Sequence, residues 1–361
     1  MSFKLPSSQV AAQMTAGTNP VSSITVNQTA EVPTFPSSGV NTFVRVLHAA
    51  IDPVDYKLAS LPWPLPRLAL GSNPVIPGQT FVGRVWKTTD TRFKSGDLVW
   101  GLTGGPGKFG ATAGYTLARD PKAIVKVPEG FNRGLEEFAG AGVTALTALQ
   151  TLKAGDLPFN TRGAQGGKVF INGGSGGVGT STVQMAKHGY GAHVVASCSG
   201  ANADLVKSLG ADEVVDYKSV GKLSTWLKDW AAKNGEFDVI IDNVGSDPDL
   251  YWQAHHYLKA DKGRYVQVGA EMAVGAFITM ARQMLTPSIL GGGKRPFQFL
   301  GMSPTREDLD LISQWMAEGK IRTIIEDENK FDLAEVKKAY EKLHTGRVRG
   351  KIVIKVGADD Q

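Results

Sequence analysis

Cysteine is almost absent from this chain of 361 residues, because Cys198 is the only one. A single thiol excludes a framework of intramolecular disulfide bonds and a zinc cage made of several thiolates. Concentrated charge is absent too: 39 basic and 34 acidic residues give a net charge of +5, and the basic residues are scattered. The sequence therefore predicts no nucleic-acid partner and only a mild attraction for small anions.

Long apolar runs are also missing. The most apolar late segment, residues 271–290, is interrupted by Arg282 and Pro287, so we expect no membrane span and interpret the segment as core or as an oligomer contact. The first residues, "MSFKLPSSQVAAQMTAG", lack the charged start and apolar stretch of a secretory signal and contain no arginine. A cytoplasmic protein is the resulting prediction.

The chain is too long for one core, since single cores stop growing near ~250–300 residues, and two domains are expected. Short alternating runs such as "NTFVRVLHAAI" and "QTFVGRVWK" indicate an irregular β domain in the first third. From about Gly140, apolar strands alternate with helices, which is typical of a parallel sheet covered on both faces. After about Leu300, two helical patterns precede a closing strand, "GKIVIKV".

A glycine-rich motif follows the strand "KVFIN". Gly174, Gly176 and Gly179 form G-x-G-x-x-G between this strand and a helical pattern, which is the context of a dinucleotide-binding fingerprint. The first glycine permits a tight turn, the second lets the backbone approach a pyrophosphate, and the third lets helix and strand pack closely. The alternative is an ordinary glycine-rich turn. We predict that the loop residues Gly174, Ser175, Gly176, Gly177, Val178 and Gly179 bind a dinucleotide.

The second strand of this unit, "AHVVASCSG", predicts which dinucleotide binds. NAD-binding sites usually have an acid at its end, whereas Ser197 and Ser199 stand here and leave room for a 2′-phosphate, so NADPH is favoured. No basic residue is adjacent in sequence. The counter-charge is predicted to come from Lys218 or from Arg349 in "RVRGK", although Lys218 taken alone is better interpreted as a solvated surface lysine.

The chain resembles the zinc-independent branch of the medium-chain dehydrogenase/reductase superfamily, which contains quinone oxidoreductases and enoyl reductases. The resemblance runs from about Val40 to Val356 and is carried by motifs in family order: "AAIDPVDYK", "PGQTFVGRVW", "FKSGDLVWG", "AGVTALTAL", "INGGSGGVGTSTVQMAKHGYGAHVVASCS", "LVKSLGADEVVDYKS", "FDVIIDNVG", "GRYVQVG" and "GRVRGKIVIKV". It implies an α/β protein in which a doubly wound Rossmann domain (residues 141–300) is inserted into a GroES-like β-barrel catalytic domain (residues 1–140 and 301–361). It also implies a homodimer.

The resemblance further implies chemistry without a metal. Zinc-dependent relatives have a cysteine near the position of "IDPVDYK", where Asp52 and Pro53 stand here, and His48, His255 and His256 lack ligand partners at a usable spacing. We therefore expect no catalytic metal. Another departure is Thr80, where the family often has an acidic residue, and it leaves the substrate subfamily open.

Without zinc, the acceptor must already be electrophilic, so the resemblance implies a reductase of quinones or small α,β-unsaturated carbonyls. Tyr56 and Lys57 are the candidates for donating a hydrogen bond or proton to the acceptor oxygen. The alternative is that Tyr56 packs the turn and Lys57 is solvated.

Other positions correspond to cofactor contacts in the family. They are Thr144, Tyr217, Asn243, Val268, Gly269 and Leu300. For Thr144, a hydrogen bond to its own helix backbone is the competing interpretation, and for Leu300 it is core packing.

Two further functions stay open at this point. One is a trans-acting enoyl reductase that serves fatty-acid or polyketide chains. The other is an NADPH-binding regulatory or structural protein with little turnover, because the fingerprint predicts binding and not chemistry.

Overall fold

A computed structural model describes residues 6–62, 65–104, 107–158, 166–269, 274–287, 290 and 292–359. The chain divides into two units. Unit 1 consists of Met1–Leu146, Pro304–Ala317 and Arg322–Gln361, and unit 2 consists of Thr147–Ser303 and Glu318–Ile321. In sequence, most of unit 2 is therefore enclosed by two parts of unit 1.

The elements follow one another along the chain in three groups. The first part of unit 1 contains β1 (Gln9–Gln13), β2 (Thr25–Ala30), β3 (Thr42–Ile51), α1 (Pro53–Ala59), α2 (Leu65–Leu70), β4 (Thr80–Thr88), β5 (Leu98–Leu102), β6 (Tyr115–Ala118) and β7 (Ile124–Lys126). Helix α3 (Glu136–Ala154) passes from unit 1 into unit 2. Unit 2 continues with β8 (Lys168–Asn172), α4 (Gly177–Gln184), β9 (His193–Cys198), α5 (Ala203–Ser208), β10 (Glu213–Asp216), α6 (Leu223–Asn234), β11 (Val239–Asp242), α7 (Asp249–Trp252), β12 (Arg264–Gln267), α8 (Val274–Leu285) and β13 (Phe297–Phe299). The second part of unit 1 contains α9 (Arg306–Ala317), β14 (Lys330–Asp332), α10 (Val336–His344) and β15 (Ile352–Lys355).

Unit 1 is built on a mainly antiparallel sheet in the order β14-β15-β3-β4-β5-β7, with β6 also paired to β3. The closing strand β15 pairs antiparallel with β3, so Ile352 faces Ile51 across the ladder. Antiparallel pairing agrees with the alternating runs of the first third, although β3 and most of β4 are buried on both faces. Valines 44, 46, 85 and 99 lie with Phe81 in the resulting core.

Unit 2 has a parallel sheet in the order β10-β9-β8-β11-β12-β13. Counted from β8, this is the 3-2-1-4-5-6 order of the doubly wound dinucleotide-binding fold. The parallel sheet predicted from the unalternating strands is confirmed. In this fold, ligands bind outside the carboxyl ends of the strands, where the strand order reverses between β8 and β11.

The apolar segment 271–290 differs from its predicted place in the core. Its described part forms α8, and Ile278, Met284 and Leu285 are 57%, 55% and 78% exposed. The core interpretation is wrong for these side chains, because α8 buries only part of its surface within this chain. Among the described residues, no helix is long and apolar enough to cross a membrane.

Candidate functional site

The glycine loop, residues 173–179, connects β8 to α4. Gly173 has a φ of +80°, a left-handed conformation that favours glycine. The Gly174 amide donates a hydrogen bond to the carbonyl of Ser197 at 2.7 Å, which ties the loop to the neighbouring strand β9. Helix α4 then begins at Gly177, so its first amides face the loop without partners in their own helix. An α-helix start of this kind attracts phosphate.

The space around each glycine shows whether the glycine is needed for close packing or leaves room for a ligand. A Cβ on Gly179 would lie 2.0 Å from the Gly173 carbonyl oxygen, so only glycine lets α4 approach the loop this closely. A Cβ on Gly176 would meet nothing nearer than the Gly173 oxygen at 3.8 Å. The surface above Gly176 is therefore open, and a pyrophosphate has room to approach the backbone there.

Ser175, Gly177 and Val178 complete the loop and the first turn of α4, and all three are partly exposed. The Ser175 hydroxyl accepts a hydrogen bond from the Asn202 amide at 3.1 Å. Asn202 follows β9, so this contact joins the glycine loop to the end of the second strand.

Ser197 stays a prediction as a phosphate contact, and its side chain already has partners within the protein. Its side chain is fully buried, and its hydroxyl donates to Asn172 Oδ1 at 2.6 Å while accepting from the Gly173 amide at 3.1 Å. The hydroxyl donor is thus engaged inside the protein. The sequence could not show this, because consecutive strand residues point to opposite faces and only pairing defines which one is buried.

The ends of β9 and β10 bring Ser199, Tyr217 and Lys218 together. The Tyr217 amide donates to the Cys198 carbonyl at 3.2 Å, and Ser199 is partly exposed next to it. Tyr217 is 48% exposed, and the Lys218 ammonium lies 6.0 Å from the centre of its ring. These three side chains offer a hydroxyl, a ring and a positive charge on one exposed edge.

Asp216 is a neighbour that the motif analysis missed. One of its carboxylate oxygens lies 2.7 Å from where a Cβ on Gly200 would stand, and the other accepts the Lys218 amide at 3.0 Å. Burial, and next the charge of Asp216, raise the pKa of Cys198 to about 11, so this thiol stays protonated at neutral pH.

The ends of β11 and β12 hold Asn243, Val268 and Gly269. A Cβ on Gly269 would lie 2.2 Å from the Asn243 carbonyl oxygen, so the two segments touch through their backbones. The Val268 amide donates to the carbonyl of Asp242 at 2.9 Å. Leu300 is partly exposed beyond β13, and its amide bonds the Gln267 carbonyl at 2.9 Å.

The side-chain amide of Asn243 is the most informative group at this edge. Its oxygen and nitrogen are both buried, and neither has a hydrogen-bond partner among the described residues. Buried polar atoms are normally paired, because leaving one unpaired costs about 1–3 kcal/mol. An orphaned amide at the sheet edge, next to an open glycine loop, fits a bound group with polar atoms such as a dinucleotide.

Two predicted cofactor residues belong to unit 1. Thr144 is buried in α3, and its hydroxyl donates to the Gly140 carbonyl at 2.8 Å, which was the competing interpretation. Its oxygen retains the capacity to accept a hydrogen bond. Arg349 forms an ion pair with Glu326, with Nε and Oε1 3.1 Å apart. Both remain predictions as cofactor contacts.

The candidate catalytic residues Tyr56 and Lys57 lie on α1, and both are partly buried. The Tyr56 ring packs edge-on against His344 at 5.1 Å between ring centres, and burial raises the pKa of its phenol. This environment favours the predicted alternative in which Tyr56 anchors the helix. Lys57 is the following residue on the same helix.

Beneath α1 lies a buried group of four side chains that the motifs did not indicate, here called the ion-pair cluster. Asp52 is paired with the Lys351 ammonium, which also donates to the Ile51 carbonyl at 3.0 Å. Asp55 accepts the Tyr340 hydroxyl at 2.9 Å and the Asp52 amide at 2.9 Å. Burial, and next the charge of Asp52, raise the pKa of Asp55 to about 7.

No group of three or more His, Cys, Asp or Glu side chains that could hold a metal ion occurs in the part of the chain that the structure describes. Thr80, at the departure from the family pattern, is 1% exposed and packs against α3, where a Cβ on Gly142 would lie 2.1 Å from its methyl group.

Comparison with known proteins agrees with this architecture. A family model described as a zinc-binding dehydrogenase matches residues 209–354. The chain is 41% identical over 324 residues to the trans-enoyl reductase pgmF of Aspergillus terreus, covering 87% of this chain and 85% of that protein. It is 30% identical over 371 residues to the mitochondrial NAD(P)H oxidoreductase RTN4IP1 of Bos taurus, covering 94% and 87%. The solved quinone oxidoreductase from Coxiella burnetii superposes with a TM-score of 0.76 at 25% identity, covering 97% and 99%.

These findings define an oxidoreductase with a Rossmann domain and a β-rich catalytic domain, which confirms the predicted fold class. The chain belongs to the medium-chain dehydrogenase/reductase superfamily, in its quinone- and enoyl-reductase-like branch.

Proposed function

We propose that the chain is an NADPH-dependent reductase of acceptors that are electrophilic without a metal, namely quinones or α,β-unsaturated carbonyls. The observation that carries the proposal is the glycine loop at the reversal of the strand order, open above Gly176 and flanked by the orphaned amide of Asn243. Names of relatives support the reaction class, since they include a trans-enoyl reductase and an NAD(P)H oxidoreductase.

The residues of unit 2 bind and orient the dinucleotide. The first amides of α4 would hold the pyrophosphate, and the glycine loop would leave room for it because it has no bulky side chains. Ser199, Tyr217 and Lys218 would bind the 2′-phosphate, with Lys218 as the counter-charge. Asn243 donates and accepts hydrogen bonds through its amide, and Val268 and Gly269 form the adjacent wall.

The bound nicotinamide supplies a hydride to the acceptor. In the proposed reaction, Lys57 donates a hydrogen bond or a proton to the acceptor oxygen, where negative charge develops. Tyr56 holds α1 in place by packing against His344, so Lys57 is the residue we expect to affect turnover.

The relatives are most informative about the chemical class of the acceptor. The greater identity lies with a trans-enoyl reductase, at 41%, against 25% for the quinone oxidoreductase structure. This favours an enoyl thioester, the second candidate function, among the electrophiles that the site suits. A homodimer and a cytoplasmic location remain predictions, as does the absence of a catalytic metal.

The test is steady-state oxidation of NADPH and NADH by the purified protein with four acceptors: an ortho-quinone, a para-quinone, a short enone and an enoyl thioester. Lys57→Ala should lower kcat with each productive acceptor and leave the Kd for NADPH unchanged. Lys218→Ala should raise the Kd for NADPH about tenfold, which corresponds to about 1.4 kcal/mol, and leave that for NADH unchanged.

Each outcome decides between candidates. Turnover of the thioester alone assigns the enoyl reductase function, and turnover of quinones assigns the quinone reductase function. Tight NADPH binding without turnover of any acceptor overturns the enzyme proposal in favour of a regulatory or structural protein. Unchanged kcat in Lys57→Ala removes Lys57 from the mechanism.

A further inference from the structure

A row of buried polar side chains crosses four adjacent strands of the unit 2 sheet, three of them at or next to the carboxyl ends of their strands and the fourth, Tyr265, two residues before the end of β12. This strand-end network consists of Ser197 on β9, Asn172 on β8, Asp242 on β11 and Tyr265 on β12, which are 0%, 9%, 1% and 1% exposed. The strands are neighbours in the order β9-β8-β11-β12. Asn172 and Asp242 are register partners at the ends of β8 and β11, next to the loops that follow them. Tyr265 instead pairs with Ile240 and reaches Asp242 through its hydroxyl.

The members of the network are joined in series by short hydrogen bonds. Ser197 donates to Asn172 Oδ1 at 2.6 Å, and Asn172 Nδ2 donates to Asp242 Oδ1 at 2.8 Å. Tyr265 donates to the other oxygen of Asp242 at 2.8 Å. Burial raises the pKa of the Tyr265 phenol well above its usual value, so this group stays protonated and acts as the donor.

Each half of the network also holds the backbone of one loop. The Gly173 amide of the glycine loop donates to the Ser197 hydroxyl at 3.1 Å. The amides of Val244 and Gly245, in the segment 243–245 here called the Asn243 loop, donate to Asp242 Oδ1 at 3.0 and 2.9 Å. The glycine loop is thus held at Ser197 and the Asn243 loop at Asp242, two side-chain hydrogen bonds apart in the same chain.

Asn172 is the link between the two halves. Its amide accepts on the Ser197 side and donates on the Asp242 side, and a primary amide is a neutral group that does both. Alanine at this position would leave a buried hydroxyl and a buried carboxylate each without one partner. Hydrophobic substitution would have the same result, so the position requires an amide for the two halves to be connected.

We propose that Asn172 is a positioning residue that couples the glycine loop to the Asn243 loop, so that the two loops adopt their binding conformations together. This inference rests on the proposed function, because it concerns the site to which we assign the dinucleotide. NADPH reaches both loops and gains from the coupling, whereas adenosine 2′,5′-bisphosphate, which lacks the nicotinamide half, depends on one loop.

The first test compares these two ligands in the full-length protein. Asn172→Ala should weaken NADPH binding at least about tenfold and should weaken binding of adenosine 2′,5′-bisphosphate by less than about threefold, because the longer ligand must now order each loop separately. Thr151→Val is the matched control: it removes a buried hydroxyl that donates to Ala148 within α3 at 2.7 Å, in the same unit. The control should lower the thermal midpoint without changing either Kd. Equal weakening of both ligands by Asn172→Ala would overturn the proposal.

A second test does not depend on the folding of Asn172→Ala. Ser197→Ala and Tyr265→Phe are conservative changes at opposite ends of the network, separated by three strand spacings, or about 14 Å. Changes this far apart normally have additive effects, within about twofold in a Kd. The proposal predicts that their effects on the NADPH Kd are less than multiplicative by at least about threefold, since the Asp242 carboxylate that Tyr265 holds can influence the glycine loop only through the bonds that Ser197→Ala removes.

The outcomes separate this inference from the proposed function. If the two changes multiply within twofold while the wild-type protein binds NADPH, the coupling is refuted and the proposed function stands. If the wild-type protein does not bind NADPH, the proposed function and the inference both fail.

Discussion

Each unit supports its candidate site on buried polar side chains, but the two arrangements differ in charge and in sequence span. The ion-pair cluster of unit 1 contains two carboxylates and a lysine, and it joins Asp52 to Lys351 and Asp55 to Tyr340, 299 and 285 residues apart. The strand-end network of unit 2 contains one carboxylate, and its bonds link strands 23 to 70 residues apart. The first arrangement closes the fold, and the second organises loops on a sheet that is already formed. Stability is therefore expected to depend on the first and ligand affinity on the second.

The largest expected effect comes from removing the cation of the ion-pair cluster. Lys351→Met leaves Asp52 buried without its partner, and breaking a buried pair in this way costs about 3–5 kcal/mol. We expect this loss in the free energy of unfolding, measured with denaturant at pH 7. Lys330→Met is the control, since Lys330 is 45% exposed beside Glu136 and its ion pairs are worth at most about 1 kcal/mol. Equal losses of unfolding free energy in the two variants would show that the buried Asp52–Lys351 pair contributes no more to stability than an exposed ion pair.

The second prediction is that two glycine substitutions in unit 2 affect NADPH binding and folding stability separately. Gly176→Val places a side chain in the open space above the glycine loop, so NADPH affinity should fall at least about a hundredfold, or about 2.7 kcal/mol, with the thermal midpoint nearly unchanged. Gly179→Val should instead lower the thermal midpoint strongly, because its Cβ would lie 2.0 Å from the Gly173 oxygen. Calorimetry of both variants with and without NADPH measures this. Retained affinity in Gly176→Val would contradict the proposed position of the pyrophosphate.

The third prediction is the pH dependence of unit 1. Burial, and next the charge of Asp52, raise the pKa of Asp55 in the folded protein from its ordinary 3.8 to about 7. The folded state therefore holds a proton that the unfolded state releases, and stability falls as pH rises from about 4 to about 7. Asp55→Asn cannot ionise, and its amide oxygen can still accept from Tyr340 and the Asp52 amide.

The measurement is the thermal midpoint of wild type and Asp55→Asn at several pH values. The variant should gain roughly 10 °C on the wild type between pH 4 and 7.5, since a shift of about three pKa units is worth about 4 kcal/mol and about 1 kcal/mol corresponds to 2–4 °C in a domain of this size. A difference that does not change with pH would show that Asp55 does not control the slope.

The sequence predicted the elements whose signal is local. The glycine loop, the parallel strands of unit 2 and the closing strand "GKIVIKV" could be located because periodicity and glycine spacing are properties of a short window. The hairpin of β1 and β2 was missed, since "QVAAQ" and "TVNQTA" have little apolar alternation. It gains its place from pairing, for example of Ala12 with Val26.

Site residues were predictable only as far as the motif reached. The hydrogen bond of Ser197 to Asn172 could not be predicted, because Asn172 lies 25 residues earlier on a neighbouring strand. Asp52 and Lys351 could not be paired from the sequence for the same reason. Nothing within a short window marks which polar residues will be buried together, because that depends on strand order and register.

The pairing of β3 with β15 has a consequence for biosynthesis. Translation delivers residues in order, at about 5–20 per second, and domains commonly fold as they emerge from the ribosome. The main body of unit 2 ends at Ser303, whereas the buried ion pair of unit 1 cannot form until Lys351 has been synthesised. The early strands of unit 1 therefore remain without their last partner while the later domain is already complete. In a nascent chain of this protein, unit 2 is therefore expected to fold before unit 1 is complete. During this interval, the unpaired strands of unit 1 are the segments that chaperones would bind.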